Sequence, residues 1–125
     1  MELPRHALLL RIFVGEQDQY EGKPLFRAIV LKARELHLAG ATVFRGPMGF
    51  GRSSHLHSSE ILRLSMDLPM VIEIVDTEEK IQNFLTTVQD MIGPGLITTE
   101  RVQAIFYKGK QTKGGSSDEA GRGRV

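Results

Sequence analysis

The first apolar run sets the tightest limit on the fold. Residues 7–14 carry Leu8, Leu10, Ile12 and Val14 on one face of an extended segment, and Leu9, Arg11 and Phe13 on the other. Side chains alternate between faces along a strand, so a strand apolar on both faces belongs inside a sheet that is covered on both sides. Helices are expected over one face, and a sheet or partner over the other. Arg11 reads equally as a buried ion-pair partner or as an arginine near the sheet rim.

The remaining pattern fills in that frame. Residues 15–22 are a polar loop. Pro24 suits the first turn of a helix, where its missing N–H costs nothing. Phe26, Ile29, Val30, Ala33 and Leu36 then recur at three- and four-residue spacing, with Arg27, Arg34 and Glu35 off that face. They predict an amphipathic helix of about four turns, ended by Gly40. Residues 41–45 predict a second strand, and 60–66 either an irregular strand or a single helical turn. Residues 70–75 are a third strand, with Val71, Glu73 and Val75 facing one way and Ile72 and Ile74 the other. A carboxylate in mid-strand needs a partner, Arg11 or Arg45 from a neighbouring strand. Asp76 is the expected cap of a second helix, with Glu79 at the capping-box position. The stripe Ile81, Phe84, Leu85, Val88, Met91 and Ile92 runs to the Gly-Pro-Gly turn at 93–95. Residues 99–107 predict the last strand, Val102, Ala104 and Phe106 alternating with Gln103, Ile105 and Tyr107.

Strand, helix, strand, strand, helix, strand is the order of an α+β ferredoxin-like split βαβ sandwich, βαββαβ, with a four-stranded antiparallel sheet and two helices on one face. The chain of 125 residues fits one domain. That domain is expected over residues 1–107. Residues 108–125 are Gly, Ser and charge, and are expected to be a disordered tail. The sheet face away from the helices keeps Leu9, Phe13 and Ile105, or their opposites. Burying it calls for a homo-oligomer whose sheets face one another.

Composition removes several function classes. A formal net charge of +1 gives no global drive toward nucleic acid or anionic membrane. Cysteine is absent, which excludes disulfides, thiolate chemistry and cysteine metal sites, and fits a cytoplasmic setting. No apolar run approaches the roughly 18 residues of a membrane helix. Arg11 interrupts the N-terminal apolar run, so a signal peptide is not expected.

Chemistry concentrates in residues 41–58. The second strand breaks there into a loop holding Gly46, Pro47, Gly49 and Gly51, with Arg45, Arg52, His55 and His57 beside them. Glycines admit close backbone approach to a ligand, and arginine presents a planar fork of donors to phosphate. The first reading is therefore a phosphate or nucleotide sensor. No helix follows the loop directly, so it is neither a Walker nor a Rossmann fingerprint. An acylphosphatase-like enzyme would place its arginine-bearing loop at residues 15–22, which hold no arginine, and no nucleophile–base pair stands out; no enzyme is expected. Residues 45–51 bear a superficial likeness to an RNA-binding glycine–aromatic motif, but their glycines break the strand that motif requires. His55 and His57 alternate along an extended segment and are weak candidates for a metal, with His37 or Glu60 as a third ligand.

Several segments in one order carry a family likeness. They are Gly15-Glu16, Pro24-Leu25, the Ala-Gly-Ala-Thr-Val-Phe-Arg-Gly run at 39–46, Gly49-Phe50-Gly51, Asp67-Leu68-Pro69, Ile-Glu-Ile-Val-Asp at 72–76 and Gly-Leu-Ile-Thr at 95–98. Together they resemble domain-of-unknown-function family 190, a branch of the PII-like proteins, over residues 8–107. The resemblance implies a homotrimer with its sheets inward. A long T-loop would join the second and third strands, and an adenine nucleotide would sit in the clefts between subunits. Carried over by position, the ligand groups are Arg45 and Gly46 at the T-loop base, Gly93, Gly95 and Thr98 in the turn before the last strand, and Lys108 and Lys110 near the C-terminus. The loop's Gly49, Gly51 and Arg52 join them on their chemistry. The partner implied by analogy is a membrane transporter. The trimeric CutA proteins share the architecture, and resemblance to them implies divalent-metal binding through the loop histidines as the alternative. This chain departs from the PII pattern in three ways. Leu96 stands where PII proteins place a lysine, the loop holds Phe50 and no tyrosine, and it has no glutamine for 2-oxoglutarate.

Overall fold

The computed structural model describes residues 6–50, 57–58 and 67–109. Strand β1 is His6–Gly15, and a two-residue hairpin, β2 Gln19–Tyr20 with β3 Lys23–Pro24, leads into helix α1, Leu25–Glu35. Strand β4, Thr42–Arg45, opens the long connection, in which β5, Met48–Gly49, pairs with β6, His57–Ser58. Strand β7, Pro69–Asp76, is followed by α2, Glu78–Val88, a 3-10 turn at Gln89–Met91, and β8, Leu96–Gln103.

The main sheet has the order β4-β7-β1-β8 with every pair antiparallel. This is the ferredoxin-like arrangement expected from the order of elements. Strand β1 is interior, as its two apolar faces require. Leu8, Leu10, Ile12 and Val14 join Met70, Ile72 and Ile74 under the helices. There they meet Leu25, Ile29 and Ala33 of α1 and Ile81, Phe84, Leu85 and Val88 of α2. Phe84, 1% exposed, contributes about 3 kcal/mol of hydrophobic stabilisation by itself.

Three boundaries differ from the sequence reading, each for a local reason. Gly40 does not end α1. His37 takes the left-handed conformation (φ 62°), its N–H donates to Arg34 O at 3.1 Å, and Leu38 N–H donates to Ala33 O at 3.0 Å. That is a Schellman closure with buried Ala33 and Leu38 as its apolar contact, and it leaves α1 three turns long. Asp76 does not cap α2. Thr77 is the N-cap and accepts from Lys80 N–H at 3.1 Å, while Asp76, 0% exposed, points into the protein. Strand β8 begins at Leu96, earlier than residue 99, and ends at Gln103. Ile105 and Phe106 lie beyond it and are exposed. The alternation at 102–107 thus continues into a segment with no strand partner, and Ile105 is not on the sheet face.

Candidate functional site

Two ends of the sheet gather polar groups. At the first, β4 runs out at Arg45, opposite Met70. Gly46 N–H donates to Pro69 O at 2.7 Å. A Cβ on Gly46 would lie 2.8 Å from the Pro69 ring, and one on Gly49 would lie 3.0 Å from it. The loop base therefore rests on a proline face, and neither glycine adopts a positive φ. This packing accounts for both residues without a ligand. Arg45 reaches across to Glu16, Nη2 to Oε2 at 2.6 Å, with its side chain 58% exposed. Residues 15–18 are pinned beneath it: Glu16 N–H donates to Leu68 O at 2.8 Å and Gln17 N–H to Asp67 Oδ1 at 2.7 Å.

The turn before β8 lies at the same end, since Leu96 pairs with Phe13. Its two glycines differ. A Cβ on Gly95 would come within 2.9 Å of Phe13 O and 3.0 Å of an Ile92 methyl, whereas one on Gly93 would meet nothing within 4 Å. Thr98 stands inside β8, opposite Arg11, on the face away from the helices. Arg45 and this turn belong to opposite edges of the sheet, with β7 and β1 between them.

At the other end, Asp76 accepts from Ala39 N–H at 2.8 Å and from its neighbour Thr77 N–H at 2.6 Å, with Lys80 Nζ at 3.8 Å. Tyr107 donates its hydroxyl to Ala39 O at 3.1 Å, bringing the chain after β8 against the start of β4. Burial pushes the Tyr107 phenol up, and the charge of Asp76 pushes it further. A groove of about 610 Å³ opens here, lined by Ala39 to Thr42, Glu73, Val75 and the segment from Val102 to Tyr107. Lys108 follows Tyr107 and is exposed. Six residue steps along β7, from Met70 opposite Arg45 to Asp76, separate the two ends, which is roughly 20 Å of strand. Arg45 and the chain beyond β8 thus belong to opposite ends of the sheet.

Between the ends lies the sheet face opposite the helices, which no described element covers in full. Phe44 and Leu96 there are 50% and 55% exposed. Arg11 sits at its centre, Nε to Glu73 Oε2 at 2.8 Å and Nη1 to Glu100 Oε1 at 3.2 Å. Hydrogen bonding to Glu73 raises the guanidinium further above its ordinary value, against partial desolvation, and Glu100 adds to the rise. Arg11 is thus the partner that Glu73 needed, and Arg45 pairs elsewhere.

Gly51, Arg52, His55, Glu60 and Lys110 lie outside the described residues, as does the 60–66 segment and most of the tail. His57 is described as backbone only, paired with Gly49. Among the described residues no three His, Asp or Glu side chains converge on a metal-sized space, and no helix is long and apolar enough to cross a membrane.

Sequence reasoning passes over Glu16 and Tyr107. Glu16 sits in a loop whose composition says only that it is polar, although Gly15-Glu16 is part of the family pattern. Tyr107 falls in an alternation that reads as strand, which hides its role as an anchor.

A βαββαβ chain with this sheet order and a long excursion after its second main strand has the PII-like form of the ferredoxin-like fold. A solved structure with the same form is that of CPII, a nitrogen regulatory PII-like protein from Thiomonas intermedia K12, bound to ADP, AMP and bicarbonate. It superposes with a TM-score of 0.62 over 79% of this chain and 88% of that one, at 14% sequence identity. Residues 7–104 match the family model for DUF190, Uncharacterized ACR, and the chain belongs to that family. A UPF0166 protein of Aquifex aeolicus is 42% identical over 98 residues, 78% of this chain and 92% of the relative. Another, from Methanocaldococcus jannaschii, is 35% identical over 105 residues, 83% of this chain and 94% of the relative.

Proposed function

We propose that the protein is a PII-like sensor, a binding protein and not an enzyme. It takes a small anionic ligand, an adenine nucleotide, in clefts between the copies of a homotrimer. Binding reorganises residues 46–59, which then engage or release a partner protein. The observation that carries the reading is Arg45 itself. It stands at the hinge of the loop, more than half exposed, with an anionic oxygen already 2.6 Å from its guanidinium. An arginine fork at a loop base couples capture of a phosphate to the loop's position, and differential contacts of that kind are what a switch requires.

Two further observations support it. The sheet face opposite the helices, with Leu9, Phe13, Phe44 and Val71, gives copies of the chain an apolar surface to share. Arg45 and Lys108 lie at opposite ends of the sheet, which favours a ligand site that takes each from a different copy. The PII-like protein solved with ADP and AMP has the same fold, which makes those nucleotides the first probes. A transporter as partner follows from analogy with PII proteins alone.

Calorimetric titration with ATP, ADP and AMP tests the proposal. Saturable binding is expected, weakened about tenfold or more by Arg45→Ala, in line with loss of a charge-assisted hydrogen bond. Absence of heat and of thermal stabilisation at millimolar nucleotide would remove the nucleotide-sensor reading.

A further inference from the structure

We infer that Glu16 occupies the place an anionic ligand takes on Arg45, so that a nucleotide must displace an internal carboxylate before it gains the loop. This deepens the function proposed above and rests on it.

The two members of the pair are held unequally. The backbone that carries Glu16 is held whether or not Arg45 is present. Its own N–H donates to Leu68 O at 2.8 Å, Gly15 N–H donates to Asp18 Oδ2 at 2.8 Å, and Gln17 N–H donates to Asp67 Oδ1 at 2.7 Å. Its side chain is 22% exposed. Arg45 is the last residue of β4, and its side chain is 58% exposed. The residue after it, Gly46, opens the loop. When the pair breaks, the arginine is the member free to turn toward a ligand, and the loop is attached to that member.

Carboxylate and phosphate offer a guanidinium the same kind of acceptor oxygen, so one replaces the other without new donors. An exposed ion pair handicaps a competitor by no more than about fivefold. The carboxylate therefore sets a threshold and does not close the site. A phosphate chain, carrying more charge than a single carboxylate, is the chemistry suited to win that exchange. With the ligand gone, Arg45 returns to Glu16 and the loop base returns to its position beside Pro69. Glu16 thus acts as the built-in occupant of the empty state.

Titration of ATP and of ADP into wild type, Glu16→Gln, Arg45→Ala and the double variant tests this. Glu16→Gln keeps the backbone bond to Leu68, and its fold is checked by thermal melting. Tightening of about three- to fivefold is expected in Glu16→Gln, with no gain from the same change in the Arg45→Ala background. Binding seen in Glu16→Gln and not in wild type would also support the displacement. Equal or weaker binding by Glu16→Gln, beside a wild type that binds, overturns it and leaves the sensor reading standing. A gain that persists without Arg45 also overturns it, because the effect is then one of general charge. No binding by either wild type or Glu16→Gln overturns both readings. Should the variant fold poorly, the side-chain NMR signals of Arg45 and Glu16 in wild type provide the test. Both must move on saturation with ATP, and an unmoved Glu16 signal rejects the displacement.

Discussion

Replacing Asp76 with alanine is expected to cost the fold about 3 kcal/mol and to lower its melting temperature by about 15 °C. The carboxylate is 0% exposed. It holds Ala39 N–H at 2.8 Å and Thr77 N–H at 2.6 Å, so one side chain ties the loop after α1 to the start of α2. Alanine leaves two donors facing a space with no acceptor, and each stranded donor costs about 1–3 kcal/mol. The Lys80 ammonium, 3.8 Å from the carboxylate, also loses its anion. The milder change Asp76→Asn would keep one acceptor and is expected to recover about half of the loss. Denaturant unfolding of both variants measures this. A change below about 0.5 kcal/mol, the range of ordinary surface substitutions, would mean that Asp76 does not organise this end of the sheet.

The second large effect separates two glycines of one turn. Gly95→Ala is expected to destabilise by about 2 kcal/mol, the middle of the range for overpacking. Its methyl group would press on Phe13 O, a backbone atom of the interior strand, at 2.9 Å, and on an Ile92 methyl at 3.0 Å. A strand carbonyl inside a paired ladder has little room to yield. Gly93→Ala meets nothing within 4 Å, and the change is expected to stay within about 0.5 kcal/mol of wild type. Both residues are candidate ligand groups by family position, so the pair of measurements distinguishes packing from binding. Equal stability of the two variants would contradict the close approach of Gly95 to β1.

Periodicity reveals most of the architecture, because burial imposes it. The two-faced run from Leu8 to Val14 requires an interior strand, and β1 lies between β7 and β8. The stripe from Ile81 to Val88 lies against the sheet. Glu73 demands a counter-charge, and Arg11 stands directly across from it. Boundaries are less legible where backbone geometry overrides residue type. His37 adopts a conformation for which Gly40 looks better suited, and Thr77 takes the cap that Asp76 leaves to serve the loop after α1. Long-range pairs between loops are not legible. Nothing near Glu16 in the sequence points 29 positions ahead to Arg45, and nothing near Tyr107 points 68 positions back to Ala39. Such pairs depend on which ends the antiparallel sheet brings together, and on a groove that forms only after the chain passes beyond β8.

The central claim is that one ligand site draws groups from two copies of the chain. It is tested most directly by mixing two defective proteins. Arg45→Ala lacks the group at the loop base, and Lys108→Ala/Lys110→Ala lacks the groups beyond β8. Each is expected to bind ATP weakly when alone. After unfolding and refolding together, some clefts would pair an intact Arg45 with intact Lys108 and Lys110, and tight ATP binding should return in a fraction of the sites. Mixed protein that binds no better than its two components, with mixed oligomers present, would contradict a site shared between copies.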